Sequence, residues 1–249
     1  MSEIRKLAGL MKELEEKVVV CMRCGMCQAV CPLYKETGKE SDVARGKLAL
    51  IDGLMEEMLK DIDGARERLQ KCLLCGSCAA SCPSGVELGD IFLKARTILT
   101  GYDGLSAIKK IIFRGLLSKP AFFDTLLGIG SKFQGVFTRE ANKIVGTSCA
   151  VVGSGLLGGR HFNTLAKEPF HKKIGSLSTR AGKSGLRVAI FTGCVPDKVF
   201  PEIMEATIKV LEYHGVGVFL PEGQGCCGIP AIASGDLKTL NKLALFNLQ

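Results

Sequence analysis

Cys21-x-x-Cys24-x-x-Cys27-x-x-x-Cys31-Pro32 is followed by Cys72-x-x-Cys75-x-x-Cys78-x-x-x-Cys82-Pro83, with Cys31 and Cys72 41 positions apart. Any fold of this chain must gather these eight thiols. A soft thiolate bridges well to iron and sulfide, and the spacing with its closing proline is that of cubane iron–sulfur ligation. In two-cluster ferredoxins the three tightly spaced cysteines surround one cluster and the fourth reaches across to the other. The spacing therefore predicts Cys21, Cys24, Cys27 and Cys82 on one [4Fe–4S] cluster, and Cys72, Cys75, Cys78 and Cys31 on a second. Zinc sites use paired CxxC motifs and need no third cysteine two residues on.

A disulfide framework would need an oxidising compartment. The chain starts Met1 to Lys17 with a charged, helix-like stretch that lacks the apolar core of a signal peptide. Twelve cysteines then read as metal ligands or reduced thiols, and the expected location is cytoplasmic, or peripheral on the inner membrane face. No charge-free apolar run reaches the length of a membrane span. Trp is absent and Tyr scarce, which speaks against an aromatic belt or a nucleic-acid stacking platform.

The formal charge of +8 is uneven. Residues 1–100 carry 15 basic and 15 acidic groups, 101–187 carry 14 and 4, and 188–249 carry 4 and 6. The middle segment is the part that would seek an acidic partner or anionic lipid. No nucleic-acid motif accompanies it, so nucleic acid is not expected as a partner.

The expected fold class is α plus α/β in three parts. Residues 1–100 form an all-helical ferredoxin domain with two clusters. Residues 101–184 are basic amphipathic helices and linker. Residues 185–249 form an incomplete βαβ cysteine-rich domain. Helices are expected over 3–18, within 45–69, over 88–99 with Gly101 ending the last, and over 104–145 with a break near Pro120. Methionines between the motifs read as core filler. Gly153-Ser154-Gly155-Leu156-Leu157-Gly158 matches GxGxxG without a convincing strand before it, and reads as a chance match. Cys149 reads as a lone core thiol, and His161 and His171 as surface residues. From Leu186 the pattern is α/β: a buried-type strand at 187–191, a helix over 201–214, a strand at 216–220 and a helix from about 236. That arrangement puts Cys194, Cys226 and Cys227 at the rim where open α/β sheets bind ligands.

Cys194, then Cys226-Cys227-Gly228 after thirty-one intervening residues, resembles the first half of the "CCG" motif of the heterodisulfide reductase family. With the twin ferredoxin motif, the chain resembles the family of glycolate oxidase iron–sulfur subunits and fused heterodisulfide reductase-like proteins. That family also includes an iron–sulfur component of anaerobic glycerol-3-phosphate dehydrogenase. Supporting residues are Cys31-Pro32-Leu33-Tyr34, Glu36-Thr37-Gly38, Ala44-Arg45-Gly46-Lys47, Cys82-Pro83-Ser84-Gly85-Val86, Phe191-Thr192-Gly193-Cys194 and Gly225-Cys226-Cys227-Gly228. The family pattern adds a closing CxxC pair and a second repeat, which this sequence does not contain. The resemblance thus implies a truncated or split version, with Cys194, Cys226 and Cys227 as an incomplete third cluster site that a second chain could complete. It also implies an electron-transfer role, from a flavoprotein partner oxidising a 2-hydroxy acid to quinone or another acceptor. The alternative is disulfide reduction at a cluster held by the CCG cysteines. No acid/base set stands out in the sequence, so substrate chemistry on this chain is not expected.

Overall fold

The computed structural model describes residues 3–142, 147–150 and 161–248. They divide into two compact units, 1–110 with 228–241, and 111–227 with 242–249.

In the first unit, helices α1 (Glu3–Val18), α4 (Ala44–Met55), α5 (Ile62–Lys71) and α7 (Leu88–Asp103) enclose one apolar core. Leu14 and Val18 of α1, Leu48 and Ile51 of α4, Leu69 of α5, and Ile91, Phe92 and Ala95 of α7 meet there. Spacings of three and four residues recur within each helix, which puts these side chains on one helical face. Burying a side chain such as Phe92 contributes about 1.5–3 kcal/mol. The region between the motifs is two helices rather than one, interrupted at 56–61, where Asp61 caps α5 by accepting from the Gly64 amide at 2.9 Å. Helix α7 passes Gly101 and stops at Gly104, whose φ of +79° glycine alone adopts readily. Met55 packs against the core, but Met58 is exposed, so methionine as filler holds for one and fails for the other.

The one-turn helices α2 (Met26–Ala29) and α6 (Ser77–Ala80) lie inside the two cysteine motifs, and α3 (Pro32–Thr37) starts with Pro32 in its first turn, behind Cys31. Gly46, in the first turn of α4, lets that helix press against the 3₁₀ turn Glu40–Asp42. A Cβ there would collide with the Glu40 carbonyl oxygen.

The first unit also contains α8 (Ala107–Lys110); the second contains a π-helical turn, Ile111–Leu117, after which Pro120 opens α9 (Pro120–Phe137). The sequence pattern suggested helix as far as 145. Instead β1 (Thr138–Asn142), β2 (Thr147–Ala150) and β3 (His161–Asn163) form an antiparallel sheet. Local β-branched residues such as Thr138 and Thr147 suit paired strands better than another helical turn. The GxGxxG stretch lies outside the described residues. So do the side chains of Cys149 and His161, although their backbones sit in β2 and β3.

A second sheet has the order β4 (Leu177–Ser178), β6 (Gly217–Leu220), β5 (Arg187–Ala189). Strands β5 and β6 are parallel, joined through helix Pro201–Tyr213, whose Met204 and Ile208 pack with Phe170 and Leu220. This is the expected βαβ unit. The first strand is not of buried type, however: all three residues of β5 are exposed, because it is an edge strand with one neighbour. Helices Ile229–Ala233 and Leu237–Asn247 follow. Among the described residues no helix is long and apolar enough to cross a membrane.

Replacing Gly46 with alanine is expected to lower stability by about 2–3 kcal/mol, since the obstructing atom is backbone and cannot rotate away. A reduced urea midpoint at unchanged slope would register it; an unchanged midpoint would contradict the close approach.

Candidate metal centres and the cavity beside Cys194

The two cysteine motifs fold alike, residue for residue. In each, the position before the second cysteine adopts positive φ (Arg23 at 58°, Leu74 at 54°), and so does the glycine after it (Gly25 at 84°, Gly76 at 80°). Non-glycine residues rarely sit there, and such strain concentrates at functional sites. The amides of Cys21 and Cys72 bond back to Val18 and Leu69 at 3.2 Å, and those of Cys31 and Cys82 bond to Gln28 and Ala79 at 3.3 and 3.2 Å. Each motif is thereby bent into a cup.

Cys21, Cys24, Cys27 and Cys82 line one hollow. Cys31, Cys72, Cys75 and Cys78 line another. In each, three cysteines come from one motif and the fourth from the other. Among the described residues no three His, Cys, Asp or Glu side chains meet closely enough to hold a single metal ion. The thiols instead stand around the walls of a hollow, the arrangement a multi-atom cage takes. All eight are free thiols. Five of them (Cys21, Cys27, Cys72, Cys78 and Cys82) rest on the rim of the apolar core, which shields a bound group from water on that side. Burial pushes the Cys78 thiol up to about 11 and raises Cys27 as well. These thiols become thiolates on taking a metal, as any cysteine ligand must. The Ser77 hydroxyl, 3.5 Å from Cys75, lowers that thiol.

Two cations sit in these walls. Arg45 lines the first hollow, bonds the Arg23 carbonyl at 3.2 Å and pairs with Glu40 at 2.6 Å. Lys47 lines the second and is only 1 % exposed, with its ammonium bonded to the Asp42 carbonyl. Burial pulls the Lys47 pKa below its ordinary value, against the upward effect of Cys72, Cys31, Asp42 and Cys78. Asp42 is buried too. Its burial would raise its pKa, but hydrogen bonds from Thr37 and Arg68 hold it below the usual carboxylate range.

Arg96, on α7, is a further buried cation. Its guanidinium donates to the carbonyls of Leu69 (3.1 and 2.5 Å), Gln70 (3.3 Å), Cys72 (2.7 Å) and Ala233 (2.6 Å). It ties the start of the second cysteine loop to the C-terminal end of helix Ile229–Ala233. Neither Arg96 nor the burial of Lys47 was visible in the sequence, where one Lys or Arg looks like any other. The only prior signal was the Arg45-Gly46-Lys47 run itself.

In the second unit, Cys194 opens the short helix Cys194–Lys198 after β5 and, with Cys226, lines a cavity of about 330 Å³. Cys227 is exposed and is not part of that wall, although its charge bears on Cys194, whose thiol is raised chiefly by burial. Gln224 fastens the two loops of the rim: its carbonyl oxygen accepts from the Thr192 amide at 2.8 Å and its amide donates to the Ile190 carbonyl at 2.9 Å. Asn247 does the same lower down, accepting from the Gly225 amide and donating to the Cys226 carbonyl. Three thiols are one short of the four that hold a [4Fe–4S] cluster.

The same cavity holds a constellation that the sequence does not announce. His171 is not a free surface residue: its Nδ1 lies 2.9 Å from Asp197 Oδ1 and 3.1 Å from Lys198 Nζ. Lys198 also contacts Asp197 at 2.7 Å and Asp124 at 2.5 Å, and His171 Nε2 is 3.9 Å from Asp124. Burial would raise Asp197, but hydrogen bonds from Lys198 and His171 keep it below the usual carboxylate range. Asp124, His171 and Asp197 are far apart in sequence and share no motif, so only folding brings them together.

Known proteins carry the same two cysteine arrangements. Residues 17–86 match the family described as "4Fe-4S dicluster domain", and residues 188–249 match "Cysteine-rich domain". The chain is 29% identical over 258 aligned positions to the "Probable glycolate oxidase iron-sulfur subunit" of Bacillus subtilis, covering 99% of this chain and 57% of that protein. It is 26% identical to the "Glycolate oxidase iron-sulfur subunit" of Escherichia coli, over 87% of this chain and 48% of that one. It is also 26% identical to a fumarate reductase (CoM/CoB) subunit of Methanothermobacter marburgensis, over 92% of this chain and 38% of that one. The chain thus spans about half the length of the curated relatives it matches, or less. No solved structure matches it. The chain thus carries a 4Fe-4S dicluster domain followed by a cysteine-rich domain, with two [4Fe–4S] clusters as its cofactors, and in both it is similar to the glycolate oxidase iron–sulfur subunits.

Proposed function

We propose that this iron–sulfur subunit takes electrons from a flavoprotein that oxidises a small 2-hydroxy acid, passes them through its two clusters, and releases them at the cysteine-rich half. The observation that carries this is the pair of four-thiol hollows, each closed by a cysteine from the other motif. Cys21, Cys24, Cys27 and Cys82 would hold one cluster, and Cys31, Cys72, Cys75 and Cys78 the other. When bound, each cluster supplies one-electron redox chemistry. The chain's own residues supply thiolates, an apolar shield, and cations that offset the negative charge of four ligands. The names of the relatives support the 2-hydroxy acid and the existence of a partner.

Contact with a partner or with a membrane face is supported by α9. Phe122, Leu126, Ile129, Phe133 and Val136 recur at helical spacing and are all exposed, with Lys119 and Lys132 nearby. An exposed apolar stripe of this kind marks an interaction surface. We propose as well that Cys194, Cys226 and Cys227 contribute to a third cluster site, since Cys194 and Cys226 share one cavity wall. The second reading, disulfide reduction at that site, is favoured by Cys194 and Cys226 sharing a cavity wall. Turnover of a disulfide by the complete complex with an artificial donor would support it.

Anaerobically purified protein should hold about eight irons per chain as two four-iron clusters, and Cys82→Ser should cost about four of them. Iron and acid-labile sulfide analysis measures both. Four or fewer irons in the fully loaded wild type, or zinc in their place, would overturn the ligand sets.

A cation beside a cluster favours its reduced, more negative state. Lys47→Met should therefore lower the potential of the Cys31/Cys72/Cys75/Cys78 cluster by about 60 mV, tenfold in a one-electron equilibrium. EPR-monitored redox titration would register the shift in one of the two signals. An equal shift in both would argue for a general structural effect instead.

A further inference from the structure

Arg96 stands between two helix ends. Its Nε and both terminal nitrogens are bonded, and every acceptor is a backbone carbonyl. Four of the five bonds go to Leu69, Gln70 and Cys72, at the C-terminal end of α5 and the entry to the second cysteine motif. The fifth goes to Ala233, the last residue of helix Ile229–Ala233. Carbonyls at the C-terminal end of a helix have no partner within it and carry partial negative charge. A guanidinium only 5 % exposed thus meets two such ends at once. A charge at that depth is costly unless its donors are paired.

The segment it holds is the one that leaves the paired cysteines. Gly228 follows Cys227 directly, and residues 228–241 belong to the first unit. The helix end there is closed in two steps. The amides of Gly235 and Asp236 turn back to the carbonyls of Ile232 and Ala231, both at 2.8 Å. The carbonyls of Ala233 and Ser234 go to α7 instead: Arg96 donates to the first at 2.6 Å and Thr100 Oγ1 to the second at 2.9 Å. Gly235, at a φ of +80°, presses on the same turn of α7, where a Cβ would overlap the Arg96 carbonyl oxygen and the Thr100 hydroxyl. Ala231, one turn earlier, is fully buried.

On its other side Arg96 depends on the shape of the second cysteine loop. Cys72 offers it a carbonyl at 2.7 Å, and lines the hollow that Cys31, Cys75 and Cys78 share. Just beyond, Leu74 has a φ of 54° and Gly76 one of 80°. A backbone keeps such sparsely populated conformations only where its surroundings demand them. A cluster gripping Cys72, Cys75 and Cys78 supplies that demand, whereas an empty loop is free to relax and to carry the Cys72 carbonyl away. The rigid guanidinium fork would then lose one partner and fit the other less well.

We propose that Arg96 is a positioning residue that couples the Cys31/Cys72/Cys75/Cys78 cluster to residues 228–236. Filling that hollow, and not the other, sets the segment behind the paired cysteines in place. The proposal rests on the assignment of those four thiols to one cluster. Its consequence is a check on assembly: the chain leaving Cys227 is anchored only where the second cluster is present. Coupling between two sites is reciprocal, so releasing the segment weakens the hold on the cluster by the same factor.

The test uses the full chain, prepared anaerobically, and runs in both directions. Cys75→Ser should leave about four irons, in the first hollow, and Cys24→Ser about four, in the second. Hydrogen exchange read by mass spectrometry should be about tenfold faster across 229–236 in Cys75→Ser than in the wild type. In Cys24→Ser it should be unchanged, and continued protection of α7 in both variants shows that the core persists. In the reverse direction, Gly235→Ala pushes the segment off α7 without touching either motif. It should speed loss of iron from the second cluster to the chelator bathophenanthroline about tenfold, and leave the first cluster as it was. The EPR spectra of the single-cluster forms tell the two apart. Arg96→Lys keeps the charge but not the fork, and should behave like Gly235→Ala. Exchange across 229–236 that is equal in Cys75→Ser and the wild type would overturn this proposal alone. So would iron loss that rises equally at both clusters in Gly235→Ala, or wild-type behaviour of Arg96→Lys. The reverse direction needs no ligand substitution, so it decides even where Cys75→Ser fails to assemble. Eight irons retained in Cys75→Ser would overturn the ligand assignment itself.

Discussion

Each cysteine motif curls round a hollow and leaves it one thiol short, and the missing thiol comes from the other motif. This exchange of Cys31 and Cys82 is the constraint on which the first unit depends. Neither cup is complete without the other, so the two loops lie together, with their short helices α2 and α6 in contact. The helices achieve this with a continuous apolar core whose edge carries the inner cysteines. Residues held in left-handed conformation at matching positions turn each loop inward. Their local cost is tolerated because the core and the backbone bonds around them leave no alternative path.

Gathering eight potential anions creates an electrostatic demand that the fold answers with cations in the walls of the hollows. Lys47 and Asp42 sit in the wall of one hollow, and Arg45 with its partner Glu40 beside the other. Gly46, between the two cations, permits the close approach of α4 to the Glu40–Asp42 turn that sets both. Arg96 answers a different demand. The end of α5 leaves carbonyls without helical partners, and the guanidinium collects them together with those of Cys72 and Ala233. A single side chain thus supports a cluster loop and the segment that follows the paired cysteines.

The cysteine-rich half shows a different economy. Its sheet is small and β5 is exposed, yet the rim is closely fastened by Gln224 and Asn247. These hydrogen bonds are concentrated where Cys194 and Cys226 meet the cavity. The apolar stripe of α9, by contrast, is exposed.

The cysteine spacing by itself pointed to the cofactor and the twin-loop arrangement, because ligation to a small rigid cage dictates local spacing, and the structure puts Cys82 in the wall of the first hollow and Cys31 in that of the second. Helical periodicity likewise revealed α1, α4, α7 and the helix Pro201–Tyr213, where one face is buried over several turns. The strands β1 and β2 were not legible: they are short and draw their stability from pairing, which local pattern does not encode. Nor was the exposure of β5, since Val188 has the same composition at an edge as in a core. Only the tertiary structure decided which charges are buried and which residues share a wall. Lys47 and Arg96 are ordinary basic residues until a fold removes their water. Asp124, His171, Asp197 and Lys198 become one site only because packing brings three separate segments together, and such long-range proximity leaves no trace in sequence spacing.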